Sequence, residues 1–166
     1  MNSFVLGGSV ALLVLVMLSF SAVPATDAVL PLGVFSSIKA TADHAYGHEV
    51  RLWRAGNRVV GQMTYWDANP EGQRGRFDDG TFNPQSGEVR FSVTVTRRDV
   101  QPNTRSKASF RGYLARGGLW GELKWEGEAA QGRGKAGVEQ LNLLLEKGGR
   151  LKAFADPASW QKALSE

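Results

Sequence analysis

Apolar and polar residues alternate from Glu88 to Thr96 in the segment Glu88–Arg97, and this pattern strongly limits the fold. The apolar positions are Val89, Phe91, Val93 and Val95. Because successive side chains of a strand point to opposite faces, a period of two places all of these on one face. The segment is therefore predicted to be an antiparallel strand with one face buried and one face in water.

Two further segments, Lys107–Leu114 and Leu119–Glu126, repeat the alternation and are joined by Arg116-Gly117. A two-residue loop between antiparallel strands fixes their register, so Leu114 is expected opposite Leu119. The other expected pairs are Gly112 with Gly121, Phe110 with Leu123 and Ala108 with Trp125 on the inner face, and Tyr113 with Trp120, Arg111 with Glu122 and Lys107 with Glu126 on the outer face. Small residues then oppose small ones inside, and opposite charges meet outside, which supports the hairpin.

Five more segments are interpreted as strands. They are Gly33–Thr41, Glu49–Arg54, Arg58–Trp66, Arg74–Phe82 and Val138–Lys147. The 20 glycines and 6 prolines punctuate the chain as turns, which suits short strands. An open sheet of about eight such strands would need a second layer and would leave edges, so closure is favoured. The predicted fold class is all-β: an antiparallel up-and-down β-barrel of about eight strands with a short C-terminal helix.

The helix is expected to begin at Pro157 and to continue over Ala158–Leu164. Asp156 is predicted as its N-cap and Pro157 as its first residue, positions that these residue types favour. Trp160, Ala163 and Leu164 share one side of it, and we expect that side to dock on the barrel wall or to plug one end.

The beginning of the chain is apolar and free of charge from Phe4 to Val23, which is typical of an export signal. We interpret residues 1–25 as a signal peptide, cleaved after Ala25 or Ala28, and residues 32–166 as a single barrel domain. No Lys or Arg precedes the apolar run, and the run approaches the ~20 residues that span a bilayer, so an uncleaved anchor is the alternative. The expected location is secreted or periplasmic, or membrane-anchored with the domain outside the cytoplasm.

Composition and the missing motifs exclude several functions. The chain has no cysteine, which rules out disulfides, thiolate metal sites and cysteine nucleophiles. Its net charge of +4 falls short of the dense basic patches of nucleic-acid-binding proteins. No P-loop, Rossmann fingerprint, Ser-centred elbow or HExxH motif occurs. We therefore predict no cofactor, no metal and no nucleic-acid partner, while the oligomeric state stays open.

His44 and His48 are the only histidines. On a strand this spacing would put both on one face, as a pair of metal ligands requires. The intervening Ala45–Gly47 is interpreted as a turn, and no third ligand is fixed by spacing. A surface or loop role is therefore the favoured interpretation.

Asp78 and Asp79 interrupt a strand that aromatic residues flank. If Phe82 and Gly80 face inward, Asp78 points into the barrel, where it would contact a ligand or act as a general base. A β-bulge around Gly80 would instead leave both carboxylates at the rim. The bulge is the favoured interpretation.

Two groups of residues are candidates for binding. The candidate ligand-binding residues are Trp53, Tyr65, Trp66, Asp78, Phe91, Phe110 and Trp125. Barrel interiors bind ligands through apolar walls, but aromatic residues serve equally well in a filled core. The candidate rim for anionic ligands is Arg97, Arg98, Arg105 and Lys107, around the Asp99–Thr104 loop. Solvated surface charge is the alternative explanation for the rim.

An apolar leader followed by a meander of about eight short strands resembles the calycin-type barrels, such as the lipocalins and avidins, over about Gly33–Lys147. The resemblance is architectural, because Gly47 and Trp53 are too widely spaced for the lipocalin Gly-x-Trp motif, and it implies no ligand. The leading hypothesis is an exported, non-enzymatic module that binds a small apolar, amphipathic or anionic ligand or a protein partner. The alternatives are a hydrolase or isomerase using Asp78 or Asp79 with a histidine, and a structural or inhibitor-like barrel with a filled interior.

Overall fold

The structure is a computed structural model that describes residues 28–68, 72–97, 104–127 and 137–165. Its strands are β1 (Leu30–Ser36), β2 (Lys39–Ala40), β3 (Ala45–Ala55), β4 (Arg58–Asp67), β5 (Gln73–Phe82), β6 (Glu88–Arg97), β7 (Thr104–Ala115), β8 (Gly118–Trp125) and β9 (Val138–Leu145). A single helix within these ranges, α1, spans Pro157–Ala163. The apolar segment Phe4–Val23 and the expected cleavage site after Ala25 lie outside the described residues.

Eight of the strands close into an antiparallel barrel. From β3 to β9 each strand pairs with the next one along the chain, and β1 closes the barrel by pairing with both β3 and β9. The two-residue strand β2 adds to the side of β3. The predicted all-β barrel of about eight strands with a C-terminal helix is thereby confirmed.

The predicted hairpin register is confirmed where β7 pairs with β8, over Ala108–Ala115 and Gly118–Trp125. Leu114 pairs with Leu119, Gly112 with Gly121, Phe110 with Leu123, Ala108 with Trp125, Tyr113 with Trp120 and Arg111 with Glu122. The ion pairs follow this register only in part. Lys107 contacts Glu126 at 3.4 Å as expected, but the Arg111 Nε lies 3.3 Å from Glu88 Oε1 on the opposite neighbour, β6. A charged side chain on the outer face can bind either flanking strand, so register alone does not select its partner.

Two predicted boundaries at the beginning of the domain are wrong. The expected strand Gly33–Thr41 is divided into β1 and β2, because the Ile38 N–H donates to Ser36 Oγ at 3.2 Å and leaves the ladder. The expected turn Ala45–Gly47 belongs to β3 and pairs with the end of β4. Gly47 permits this extension, because its φ of +113° and the adjacent Ser37 carbonyl leave no room for a side chain.

The two ends of the barrel differ in their connections. At one end, here called the turn end, short turns link Ala55 to Arg58, Phe82 to Glu88 and Ala115 to Gly118. At the other, the loop end, connections of five or more residues link β1 to β3, β4 to β5, β6 to β7 and β8 to β9, whereas those at the turn end have at most five. Because neighbouring strands run in opposite directions, the position of a residue in its strand determines which end of the barrel it lies near. The candidate site lies at the loop end.

Apolar side chains fill the barrel from the turn end to its middle. At the centre the ring of Phe91 stacks on Phe77 at 4.0 Å between centroids and on Phe110 at 5.0 Å. The inward positions of β6, Val89, Phe91, Val93 and Val95, are all buried, as the alternation predicts. Burial of these side chains is the main stabilising contribution of the barrel interior.

A second, smaller core lies outside the barrel wall. Trp53 and Val60 point outward from β3 and β4 and are covered by the C-terminal segment, chiefly by Trp160 of α1. The rings of Trp53 and Trp160 meet edge to face at 6.0 Å, and the Trp53 indole N–H donates to the Lys152 carbonyl at 2.9 Å. The expectation that the helix docks on the barrel wall is thus confirmed, and the alternative, that it plugs one end, is not. None of the helices in the described ranges combines the length and apolar character that crossing a membrane requires.

The cap of α1 provides a pH-dependent prediction. Asp156 accepts hydrogen bonds from the Ser159 N–H at 2.8 Å and the Ser159 hydroxyl at 3.0 Å, and these lower the pKa of its carboxyl group. A carboxyl whose pKa is lowered by folding stabilises the fold above its ordinary pKa, and this contribution is lost as the pH falls through the folded-state value. We expect the Ser159 amide resonance to report loosening of α1 below about pH 4.

Asp156→Asn is the matched control for this titration. Asparagine caps helices about as well as aspartate but does not ionise, so the acid-dependent change at Ser159 should disappear. An unchanged acid titration in this variant would show that another group controls the helix.

Candidate functional site

Polar and aromatic side chains gather inside the loop end of the barrel, beyond the stacked phenylalanines. Four of them form what is here called the inner cluster: His48, Tyr65, Trp125 and Glu139. His48 Nε2 lies 3.3 Å from Glu139 Oε2, and the Trp125 indole N–H donates to Glu139 Oε1 at 3.0 Å. The Tyr65 ring lies between, 4.9 Å from the His48 ring and 5.5 Å from the Trp125 ring.

Strand parity and strand position together bring these residues to one place. His48 shares the inward parity of Val50 and Leu52, and it is paired with Tyr65 across β3 and β4. Trp125 is the last residue of β8, and Glu139 is the second residue of β9. The strands β3, β4, β8 and β9 therefore each contribute one inward side chain near the loop end.

The electrostatics of the inner cluster depend on its burial. His48 is only 6% exposed and the Glu139 side chain 22% exposed, so their interaction is weakly screened by water. An ionised carboxylate at this depth needs hydrogen-bond donors, and the Trp125 indole supplies one. The arrangement offers a carboxylate and an imidazole between two aromatic surfaces, which is suited to binding a polar group attached to an apolar body.

The aromatic residues proposed for a pocket are divided between four places. Tyr65 and Trp125 belong to the inner cluster, and Phe91 and Phe110 belong to the packed centre. Trp53 faces the other way, into the outer core beneath Trp160. Trp66 is half-buried on β4 and lies where a side chain at Gly72 would have to be. The structure therefore brings only two of the proposed aromatic residues together at the loop end.

The aspartate pair sits on a β-bulge, as favoured from the sequence. Val59 pairs with Gly80 and Gly61 with Phe77, so Asp78 and Asp79 both lie opposite the single residue Val60. Both aspartates are exposed, and Asp78 Oδ2 accepts a hydrogen bond from Gln161 of α1 at 3.1 Å. The alternative interpretation, in which Asp78 points into the barrel, is therefore wrong.

The histidines are separated from these carboxylates. His44 precedes β3, is exposed and stacks on Tyr46 at 6.3 Å, whereas His48 is inside the barrel. The two do not share a strand face, which removes the geometry of a metal pair. Among the described residues no group of three or more His, Cys, Asp or Glu side chains is placed to hold a metal ion. The structure likewise does not join Asp78 or Asp79 to a histidine.

Of the candidate anionic rim, Arg105 and Lys107 are exposed on the outer face near the beginning of β7, where Glu126 neutralises Lys107. Arg97 is the last residue of β6, and Arg98 lies outside the described residues. The rim as a whole stays a prediction.

Glu139 is the site residue that the sequence reasoning missed. The signal was present, because counting back in steps of two from the buried Leu143 and Leu141 reaches Glu139. That count places a carboxylate on the apolar face of a strand, where a charged side chain requires a partner. Its partner His48 lies 91 positions earlier in the chain (139 − 48), and no local pattern joins the two.

Comparison with protein-family models, with curated proteins and with solved structures found no match to this chain. The closed antiparallel barrel of eight strands is compatible with a calycin-like architecture.

Proposed function

We propose that this protein is a binding module whose site is the inner cluster at the loop end of the barrel, and that its ligand is a small amphipathic molecule. The observation that supports the proposal is the His48–Glu139 pair, 3.3 Å apart, in which His48 is buried and Glu139 partly buried between the Tyr65 and Trp125 rings. An enzymatic role for Asp78 or Asp79 with a histidine finds no comparable support, because both aspartates are on the outer wall.

The energetic cost of the inner cluster supports a binding role. Burying a charged or polar pair is at best neutral for stability when compared with apolar residues of similar size. The other half of this barrel is filled by apolar side chains, so the fold does not depend on polar groups inside. Residues that break the local packing rule in this way are commonly functional.

The packing also limits what the ligand can be. The stacked rings of Phe77, Phe91 and Phe110 occupy the middle of the barrel, so a ligand entering from the loop end stops above them. Its apolar part would contact Tyr65 and Trp125, and its polar part would donate a hydrogen bond to Glu139. Because a carboxylate and an imidazole lie beside two aromatic rings, an amphipathic ligand is favoured over a wholly apolar one.

The proposal includes export of the domain. The uncharged apolar segment Phe4–Val23 supports it, and a site in a cysteine-free barrel is insensitive to the oxidising conditions outside the cytoplasm. The proposed location is secreted or periplasmic, and the alternative is a membrane-anchored form with the domain outside the cytoplasm.

The test is a binding screen that uses a pair of matched variants. Small aromatic amines and alcohols, each with a single donating head group, are screened against the purified protein by NMR that observes the protein resonances. We expect hits to shift the resonances of Tyr65 and Trp125, and Glu139→Gln to weaken their binding about tenfold or more, because a charge-assisted hydrogen bond is lost.

Glu122→Gln is the control, because it changes a carboxylate to an amide in the same way on the outer face of β8. It should leave the affinity unchanged. If both variants bind equally, or if all hits shift residues outside the loop end, the proposed site is wrong. A screen without hits would favour instead a structural barrel with a filled interior, which the packed phenylalanines also suit.

A further inference from the structure

Two arginines lie side by side on the outer face of β5. Arg74 and Arg76 are separated by one residue, so their side chains leave the same face of the strand about 7 Å apart. Both are exposed. Arginine is not deprotonated in proteins, so the two guanidinium groups repel each other. Placing them together costs free energy unless an anion lies nearby.

Neither arginine is neutralised by a carboxylate of the described residues. Within these ranges the Arg74 side chain makes no ion pair and no hydrogen bond. The Arg76 Nη1 donates to the hydroxyl oxygen of Ser165 at 3.2 Å, and this partner is neutral. The positive charge at this place on the barrel wall is therefore left uncompensated.

Other arginines of the outer wall do bind carboxylates. The Arg51 Nε lies 2.8 Å from Glu49 Oε1, and Arg90 and Arg111 contact Glu88 at 2.6 Å and 3.3 Å. The two arginines of β5 are exposed on the same kind of strand. Their lack of an acidic partner is thus a property of this part of the wall and not of arginines on the barrel in general.

A surface cavity of about 400 Å³ lies at these two arginines. Arg74 and Arg76 line it together with Gln62 of β4 and Thr94 of β6, and no described residue of its lining is acidic. The amide of Gln62 and the hydroxyl of Thr94 can donate hydrogen bonds. The cavity therefore offers two positive charges and further donors without a carboxylate, which is the lining that an anion requires.

The C-terminal segment holds one of the two arginines in place. The Ser165 hydroxyl donates to the Gln161 carbonyl at 2.8 Å and accepts from Arg76, so the guanidinium is tied to α1. This contact uses one N–H of Arg76 and leaves the others for a ligand. Because the side chain is already ordered, less conformational entropy is lost when an anion binds.

The lining favours a tetrahedral oxyanion over a carboxylate. A phosphoryl or sulfuryl group carries oxygens on several sides of one centre, so it can accept hydrogen bonds from two guanidinium groups at once. A carboxylate has only two oxygens, in one plane, and a single charge. Two arginines on one strand face are therefore better matched by the tetrahedral group.

A second surface cavity, of about 330 Å³, adjoins the first, since Arg76 lines both. Trp160 forms part of its wall, which gives it an apolar surface. Asp78 is the only acidic residue of its described lining; the carboxylate accepts a hydrogen bond from Gln161 at 3.1 Å and follows Arg76 on the side away from Arg74. The second cavity can thus hold an organic group whose anion lies in the first.

We infer that the wall between β5 and the end of α1 binds the phosphoryl or sulfuryl group of a small molecule, with Arg74 and Arg76 as the anion-binding residues. This place is here called the anion site. It lies outside the barrel and shares no residue with the inner cluster, so it does not depend on the function proposed above.

The first test is a titration with inorganic phosphate and with sulfate at neutral pH, followed by the amide and arginine Nε–H resonances of the protein. We expect saturable shifts at Arg74, Arg76 and Thr94. Arg74→Gln and Arg76→Gln should each weaken binding about fivefold or more, because each removes a charge-assisted hydrogen bond. Arg76→Lys keeps the charge but loses the planar fork, and should bind with an intermediate affinity.

Arg116→Gln is the matched control. It removes the same charge from an exposed position in the turn between β7 and β8, and should bind within about twofold of the unchanged protein. Equal weakening by the Arg76 and Arg116 variants would overturn the inference. So would shifts spread evenly over the basic surface, or the absence of a saturable shift at the anion site.

Two further probes test the chemical class of the ligand. Acetate should bind at least about threefold more weakly than phosphate, and equal binding would overturn the assignment to a tetrahedral group. Phenyl phosphate should bind at least about threefold more tightly than phosphate and shift the Trp160 indole N–H, because its ring can lie in the second cavity. Equal affinity without that shift would overturn the small-molecule ligand and leave the free ion as the occupant.

Discussion

Replacing Phe91 with alanine is expected to lower the free energy of unfolding by about 3–5 kcal/mol. The ring is 4% exposed and lies between those of Phe77 and Phe110, with which it forms the central stack. Three strands contribute to this stack, so neighbouring side chains cannot collapse into the space without moving the barrel wall. The loss therefore includes both the transfer of the ring and a residual cavity.

Chemical denaturation followed by far-ultraviolet circular dichroism measures this change. Tyr113→Ala is the matched control, since it also removes an aromatic ring but from an outward position on β7 that is 52% exposed. We expect it to cost less than about 1 kcal/mol. Similar losses for the two variants would contradict the assignment of Phe91 to the centre of the core.

Gly121→Val is expected to destabilise the barrel by about 3 kcal/mol, although valine favours strands. A β-carbon at position 121 would lie 2.5 Å from the Gly112 Cα and in contact with the Arg111 carbonyl. Backbone atoms of a paired strand cannot turn aside as a side chain can, so β7 and β8 would have to separate. The expected result is a lower denaturation midpoint together with faster amide exchange along both strands.

The control for this substitution is Gly148→Ala, where a β-carbon would meet nothing within 4 Å. It should change the stability by less than about 0.5 kcal/mol. If Gly121→Val were tolerated as well as this control, the close pairing of Gly112 with Gly121 would not exist in solution.

The fold could be predicted because its determinants are local. Alternation of period two identified the strands, and the Arg116-Gly117 turn fixed the register of β7 and β8, since a slip by one residue would expose every apolar side chain. Asp156 as the N-cap and Pro157 as the first residue likewise predicted the beginning of α1, and both are confirmed. Errors are found where glycine and serine redirect the chain, at Gly47 and Ser36.

The candidate site could be predicted only in part, because closure of the barrel creates it. Tyr65 and Trp125 were identified by residue type, but their common location depends on which strands become neighbours. Trp53 was expected in a pocket, yet parity places it outside, where the C-terminal segment turns it into core. The packing of the C-terminal segment on Trp53 cannot be inferred from β3 itself. The alternation of a strand does not show whether a distant segment will cover an outward tryptophan.

The outer core also determines how the domain would be presented if it were tethered. Val29 exchanges two 2.9 Å hydrogen bonds with Phe154, immediately before β1 begins beside Arg54 at the turn end. Ala28, the first described residue, therefore lies at the pole opposite the inner cluster. Attached to a membrane, a bead or a fusion partner through that side, the barrel would display its loop end to the surrounding solution.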